Sequence, residues 1–143
     1  MGGEMSGHIF INHDWYGFDD AIFSAVILTK IITDLDVNIS ELVNKIPSTH
    51  STPELNLDVK DEEKFNMVEK FKSEMEFPNA DINTIDGVRI SINNSWALMR
   101  ASNTSPKLVL RFEGDTEDNL NQIKNLFENN FLKIFPDIKL DYH

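Results

Sequence analysis

Arg100-Ala101-Ser102-Asn103-Thr104-Ser105-Pro106 puts a guanidinium, a carboxamide and three hydroxyls within one short stretch of chain. Short polar side chains of this kind favour turning backbone. Such a turn can present backbone N–H groups, hydroxyl donors and one fork-shaped cation to a single anion. The chemistry is that of a phosphate cradle, with Arg100, Ser102, Asn103 and Thr104 as the candidate ligands. The same composition also suits an ordinary polar connection between antiparallel strands. What sets the stretch apart is its surroundings: the chain has a formal net charge of −11 and a pI near 4.6. A field of that sign repels anions, so a phosphate must be held by a local cluster. It also argues against nucleic acid or an anionic membrane as a partner.

A second cluster, Glu4-Met5-Ser6-Gly7-His8, places a carboxylate, a hydroxyl and an imidazole at the edge of a short apolar run, residues 8–11. Glu4 and Ser6 are the side-chain types that hold sugar hydroxyls, since each such group both donates and accepts. A flexible N-terminal segment would read the same way. His8, His13, His50 and His143 show no i,i+4 pairing, and cysteine is absent. That combination predicts no metal site and rules out disulfides and thiolate ligands. The neighbouring carboxylates of Asp19 and Asp20 suit the positive start of a helix. Walker loops, nucleophile elbows and dinucleotide-binding glycine patterns do not occur. A cytoplasmic address fits a chain without cysteine. The most apolar run, residues 21–32, is broken by Lys30 and too short to span a bilayer, and no signal-peptide order is present.

These clusters need elements to hold them. In residues 1–47, a strand at 8–11 is followed by a helix over about 18–33, with Ile22, Phe23, Val26, Ile27 and Ile31 at helical spacing. A short helix over 40–46, capped by Ser40, closes this part. One strand and two helices cannot bury so much apolar surface. The part reads as the remnant of an α/β domain, and residues 18–33 expect a missing sheet or self-association with a second copy. Residues 48–53, rich in Ser, Thr and Pro, read as a linker.

Residues 54–143 are self-consistent. Leu55, Leu57 and Val59 alternate as a strand, and Asp61 is placed to cap a helix carrying Phe65, Val68, Phe71 and Met75. Asp86-Gly87 marks a turn, Val88, Ile90 and Ile92 alternate, and Asn93-Asn94 marks another turn. Strands over 96–99 and 108–112 flank the polar loop, and Asp115 opens a long helix with Leu120, Ile123, Phe127, Phe131 and Ile134 in phase. The order β-α-β-β-β-α predicts an α+β module: an antiparallel four-stranded sheet with two helices on one face.

The segments Gly3–His8, Trp15–Asp20, Thr84–Arg89 and Arg100–Pro106, in that order, closely resemble the α-D-phosphohexomutases, and best the bacterial phosphomannomutase/phosphoglucomutase group. The resemblance covers nearly the whole chain. Met5 and Asn103 bear on the subgroup, because phosphoglucosamine mutases, the alternative among these enzymes, usually show Gln and Gly there. Ala21, Ser95 and Ala97 stand where the family often has Gly, departures that touch packing more than chemistry.

Family members have four domains, and the resemblance implies the end of the third plus all of the fourth, a C-terminal domain of TATA-box-binding-protein-like fold. It implies that Glu4 and Ser6 hold sugar hydroxyls, that His8 lies at the ligand site, and that Arg100, Ser102, Asn103 and Thr104 clamp the phosphate not being transferred. Partners would be a phosphosugar and the remaining mutase domains. The family's catalytic phosphoserine and its magnesium loop have no counterpart in this sequence, so the chain is expected to bind no magnesium and to be inactive alone. The rival reading from another class is a non-catalytic anion-binding or assembly module, such as a split-gene partner.

Overall fold

The computed structural model describes residues 1–4 and 6–142. The chain forms two compact units, Met1–Pro47 and Ser48–His143. No helix among the described residues is long and apolar enough to cross a membrane.

In the first unit, β1 (Gly2–Gly3) and β2 (Ile9–Phe10) make a small antiparallel hairpin, followed by α1 (Ala21–Leu35) and α2 (Ile39–Val43). The start of α1 is fixed by Asp20, whose extended backbone and carboxylate at 2.9 Å from the Phe23 N–H make it the N-cap. The cap of α2 is Asn38 rather than Ser40. Its side chain accepts from the Glu41 N–H at 3.0 Å and donates back to the Glu41 carboxylate at 2.8 Å, a reciprocal box. No residue of α1 or α2 is buried, and Ile22 is 81% exposed.

The second unit contains β3 (His50–Ser51), β4 (Leu55–Asp58), α3 (Lys64–Glu74), β5 (Asp81–Asn83), β6 (Val88–Ile92), β7 (Ser95–Ala101), β8 (Lys107–Gly114) and α4 (Glu117–Ile134). The expected four strands are present, antiparallel, in the order β4-β8-β7-β6, but the sheet has six strands. The additions are two short edge strands. β3 pairs with the end of β8 beside β4, and β5 pairs with β6. Their two or three mostly polar residues carry no alternation, and the pairing is supplied by their neighbours. His50 and Ser51 thus lie in the sheet, within the stretch read as a linker.

One face of the sheet holds the core. Val88, Ile90, Ala97, Met99, Leu108, Leu110 and Phe112 pack against Met67, Val68 and Phe71 of α3 and Ile123, Phe127, Phe131 and Ile134 of α4. Phe71 and Phe127 approach to 5.0 Å between ring centroids, and Phe112 meets Phe127 edge-on at 5.4 Å. Phe65 was expected on this face but is 54% exposed, and Lys64 takes the inward position instead. Buried Asn130 of α4 holds the chain just beyond α3 by accepting from the Glu76 N–H at 3.0 Å. The N-cap of α4 is Thr116, which accepts from the Asn119 N–H at 3.1 Å. Asp115, one residue earlier, accepts instead from the side chains of Asn94 and Asn119. Both bonds favour its carboxylate and hold its pKa below the ordinary value.

Candidate functional site

The loop from Ser102 to Pro106 is positioned by the two longest strands of the sheet, β7 and β8, which pair from Ser95↔Gly114 through Ala101↔Leu108. At its base the Ser102 N–H donates to the Lys107 carbonyl at 3.0 Å. Ser102 is 8% exposed, and its hydroxyl oxygen accepts from the N–H groups of Thr104 (3.4 Å) and Ser105 (3.2 Å). Three of the loop's amides are therefore committed within it, and Ser102 retains one O–H hydrogen to donate. Asn103 and Thr104 form the exposed tip. This differs from an open nest of amides: the donors left facing outward are side chains and the Asn103 N–H. The cause is the serine, whose oxygen takes the amides that a bare turn would leave free.

Arg100 is the last outward-facing residue of β7 before the loop, with its side chain 37% exposed. Its guanidinium stands 4.0 Å from the Asp86 carboxylate. Asp86 lies beside Gly87, whose φ of +75° and lack of a Cβ bring the turn against Met99 and Arg100. At a separation of 4.0 Å, and with both side chains exposed, the Arg100–Asp86 pair holds the guanidinium only weakly.

In the first unit the hairpin brings Glu4, Ser6 and His8 together. The Glu4 N–H donates to the His8 carbonyl at 2.9 Å, and the Ser6 hydroxyl donates to the Glu4 carboxylate at 3.1 Å. His8 Nδ1 bonds Asp19 Oδ2 at 2.5 Å, while Asp19 Oδ1 accepts from the Ile9 N–H at 3.2 Å. With a carboxylate as its acceptor, Nδ1 carries the ring hydrogen of this bond. The hydrogen bond and charge of Asp19, with a smaller contribution from Glu4, raise the His8 pKa above 6.5. Met5 and His143 lie outside the described residues.

Three neighbours of these clusters lie outside the residues that the sequence marks as candidates: Asp19 beside His8, Asp86 beside Arg100, and Lys64, whose Nζ lies 3.1 Å from the Ser105 carbonyl. From its position Asp19 suits helix-start electrostatics, yet Asp20 caps the helix and Asp19 holds the histidine. The signal available for Lys64 was its phase, since Lys64, Met67, Val68 and Phe71 share one helical face. Among the described residues no group of three or more His, Cys, Asp or Glu side chains is placed to hold a metal ion. The described residues thus offer no set of hard oxygen ligands suited to the magnesium ion that the family resemblance implies. An open apolar recess of about 720 Å³ runs along α1 past Ile22 and Val26, and none of its lining residues belongs to either cluster.

The family pattern described as "Phosphoglucomutase/phosphomannomutase, C-terminal domain" matches residues 54–129, and "Phosphoglucomutase/phosphomannomutase, alpha/beta/alpha domain III" matches residues 1–50. The chain belongs to the phosphoglucomutase/phosphomannomutase family. It is 44% identical over 142 residues to a phosphomannomutase/phosphoglucomutase of Pseudomonas putida, covering 99% of this chain and 31% of that protein. It is 42% identical over 130 residues to a phosphoglucomutase of Neisseria meningitidis serogroup A, covering 90% of this chain and 28% of that protein. A crystal structure of a phosphoglucomutase/phosphomannomutase family protein from Burkholderia thailandensis superposes with a TM-score of 0.84 at 35% identity, covering 96% of this chain and 29% of that one. The chain thus spans less than a third of the length of these relatives.

Proposed function

We propose that this chain is the phosphosugar-gripping C-terminal portion of a phosphomannomutase/phosphoglucomutase, an enzyme that interconverts hexose 1-phosphate and 6-phosphate. The observation that carries this reading is the loop between β7 and β8. It is a turn braced by Ser102, with Arg100 at its root and Asn103 and Thr104 at its exposed tip, in a chain of net charge −11. Arg100 supplies the fork for two phosphate oxygens. The Ser102 and Thr104 hydroxyls and the Asn103 amides supply further donors.

Glu4 and Ser6 hold sugar hydroxyls, the carboxylate as acceptor and the serine oxygen in either role. His8 presents Nε2 to the ligand. The chain binds and orients, while phosphoryl transfer belongs to the remaining mutase domains, which carry the nucleophile and metal loops that the family resemblance implies.

Inorganic phosphate titrated into the 143-residue chain under NMR observation tests the reading. The Asn103 amide, the Thr104 signals and the Arg100 side chain should move together and saturate weakly. Movement elsewhere with these signals still overturns the assignment. In a coupled assay with hexose 1-phosphate and a bisphosphate activator, the chain by itself should give no turnover above a blank.

A further inference from the structure

Lys64 is 3% exposed, and lysine is almost never buried without a partner. Among the described residues it has three partners of different kinds: a carboxylate, a backbone carbonyl and the ring of Phe65, whose centroid lies 5.2 Å from Nζ. Its ammonium pairs with Asp61 Oδ1 at 2.7 Å, and Nζ donates to the Ser105 carbonyl at 3.1 Å, across 41 residues of sequence. Asp61 itself is 69% exposed and lies one turn earlier in the chain, so pairing with it does not require burial of the lysine. The Ser105 bond does, because it reaches from α3 to the inner side of the loop.

Ser105 is the residue through which the loop is fastened. Its N–H goes to the Ser102 hydroxyl oxygen, and its carbonyl accepts from both the Lys107 N–H at 2.9 Å and Lys64. The next carbonyl, of Pro106, accepts from the Val59 N–H at 3.0 Å. Residues 102, 105 and 106 are thereby tied to β8, α3 and the end of β4, and Asn103 and Thr104 are left at the tip.

We infer that Lys64 is a positioning residue of the phosphate loop: it holds the Ser105 carbonyl so that the Ser102–Ser105 turn is formed before an anion arrives. The inference rests on the reading of this loop as a phosphate site. Preorganisation of this kind gains affinity by removing the ordering cost from the binding step. It matters most where the overall charge of the protein opposes the ligand.

Two variants separate loop anchoring from ion pairing. Lys64→Met removes both bonds, whereas Asp61→Asn removes the charge partner and leaves the amine on the carbonyl. In the ligand-free chain, amide exchange at Thr104 and Ser105 should speed up in Lys64→Met and stay at the wild-type rate in Asp61→Asn. Inorganic phosphate affinity should fall about fivefold or more in Lys64→Met. In Asp61→Asn it should hold or rise, because a nearby negative charge is gone. Equal behaviour of the two variants, or unchanged exchange and affinity in Lys64→Met, overturns the inference.

Should Lys64→Met fail to fold, the Lys64 Nζ resonance of the wild-type chain decides. In the ligand-free chain its ammonium protons should be protected from solvent exchange and show a coupling to the Ser105 carbonyl carbon, and rapid exchange without that coupling overturns the inference. If wild type shows no phosphate response at Asn103 or Thr104, the binding reading itself has failed. The ligand-free exchange comparison still judges the anchoring role of Lys64.

Discussion

Gly87 lies against Arg100: a Cβ at Gly87 would stand 2.7 Å from the Arg100 Cβ and 2.2 Å from the Met99 carbonyl oxygen, and φ at Gly87 is +75°. The turn that brings Asp86 to the guanidinium is therefore possible only with glycine at this position. Gly87→Ala meets both a left-handed backbone and a clash with main-chain atoms that cannot swing away. It should cost about 2–3 kcal/mol of stability, measured by urea denaturation of the chain. The same variant should also weaken phosphate binding, because relief of the clash moves the strand segment that carries Arg100. A change below about 0.5 kcal/mol would show that the close approach is relieved without cost.

The pairing of His8 with Asp19 sets a pH dependence. The His8 pKa is raised in the folded state, first by the hydrogen bond that its ring donates to Asp19 and then by the charge of that carboxylate. The stabilisation is thus fully present below the unfolded value of 6.5 and is lost as pH rises through the raised folded value. Asp19→Asn should bring the His8 titration midpoint, followed by its imidazole NMR signals, back toward 6.5. It should also remove the alkaline loosening of the hairpin. An identical midpoint in wild type and variant would show that the pair does not persist in solution.

The elements were legible in the sequence where side-chain alternation or turn chemistry is strong. Asn93 and Asn94, with φ of 47° and 58°, form the two-residue connection between β6 and β7, and asparagine is one of the few residues that tolerates this conformation. Leu108, Leu110 and Phe112 face the core as their period predicts. The two short edge strands were not legible, because their pairing is decided by β6 and β8 rather than by their own residues. Helix starts were displaced for a related reason: Ser40, Asp61 and Asp115 are all residue types that cap. Only backbone geometry selects Asn38 and Thr116 in place of the first and third, while Glu63 begins α3 without a side-chain cap.

In the candidate site the residue types were readable, but their division of labour was not. Nothing in Arg100–Pro106 indicates that the serine oxygen turns inward to the Thr104 and Ser105 amides. Partners such as Lys64 and Ser105, distant in sequence, meet only through the fold.

The phenylalanine cluster lies at the heart of the core of the second unit. Phe127 is fully buried and touches Phe71, Phe112 and Phe131. Phe127→Ala should cost about 3–5 kcal/mol and lower the unfolding midpoint of residues 48–143 accordingly. Ile22→Ala in α1 removes a side chain that is 81% exposed and should change stability by less than about 0.5 kcal/mol. Comparable losses from both substitutions would mean that α1 is buried in solution.

That possibility leads to the behaviour of α1 itself. The helix is 15 residues long, and none of them is buried, although Ile22 and Val26 form much of one side. A helix of that length is marginal in water without a packed face. Lys30 and Asp34, an i,i+4 ion pair on its surface, add only about 0.3–0.5 kcal/mol. In the 143-residue chain, two behaviours follow from that apolar side. Either α1 exchanges its amides rapidly at every concentration, or its protection grows with protein concentration as copies associate through residues 18–33. In both cases β8, at the centre of the sheet, remains protected. Hydrogen exchange at two concentrations, with the mass of the species measured alongside, distinguishes these outcomes. Slow and concentration-independent exchange across α1 in a proven monomer would falsify the expectation that this helix depends on a partner surface.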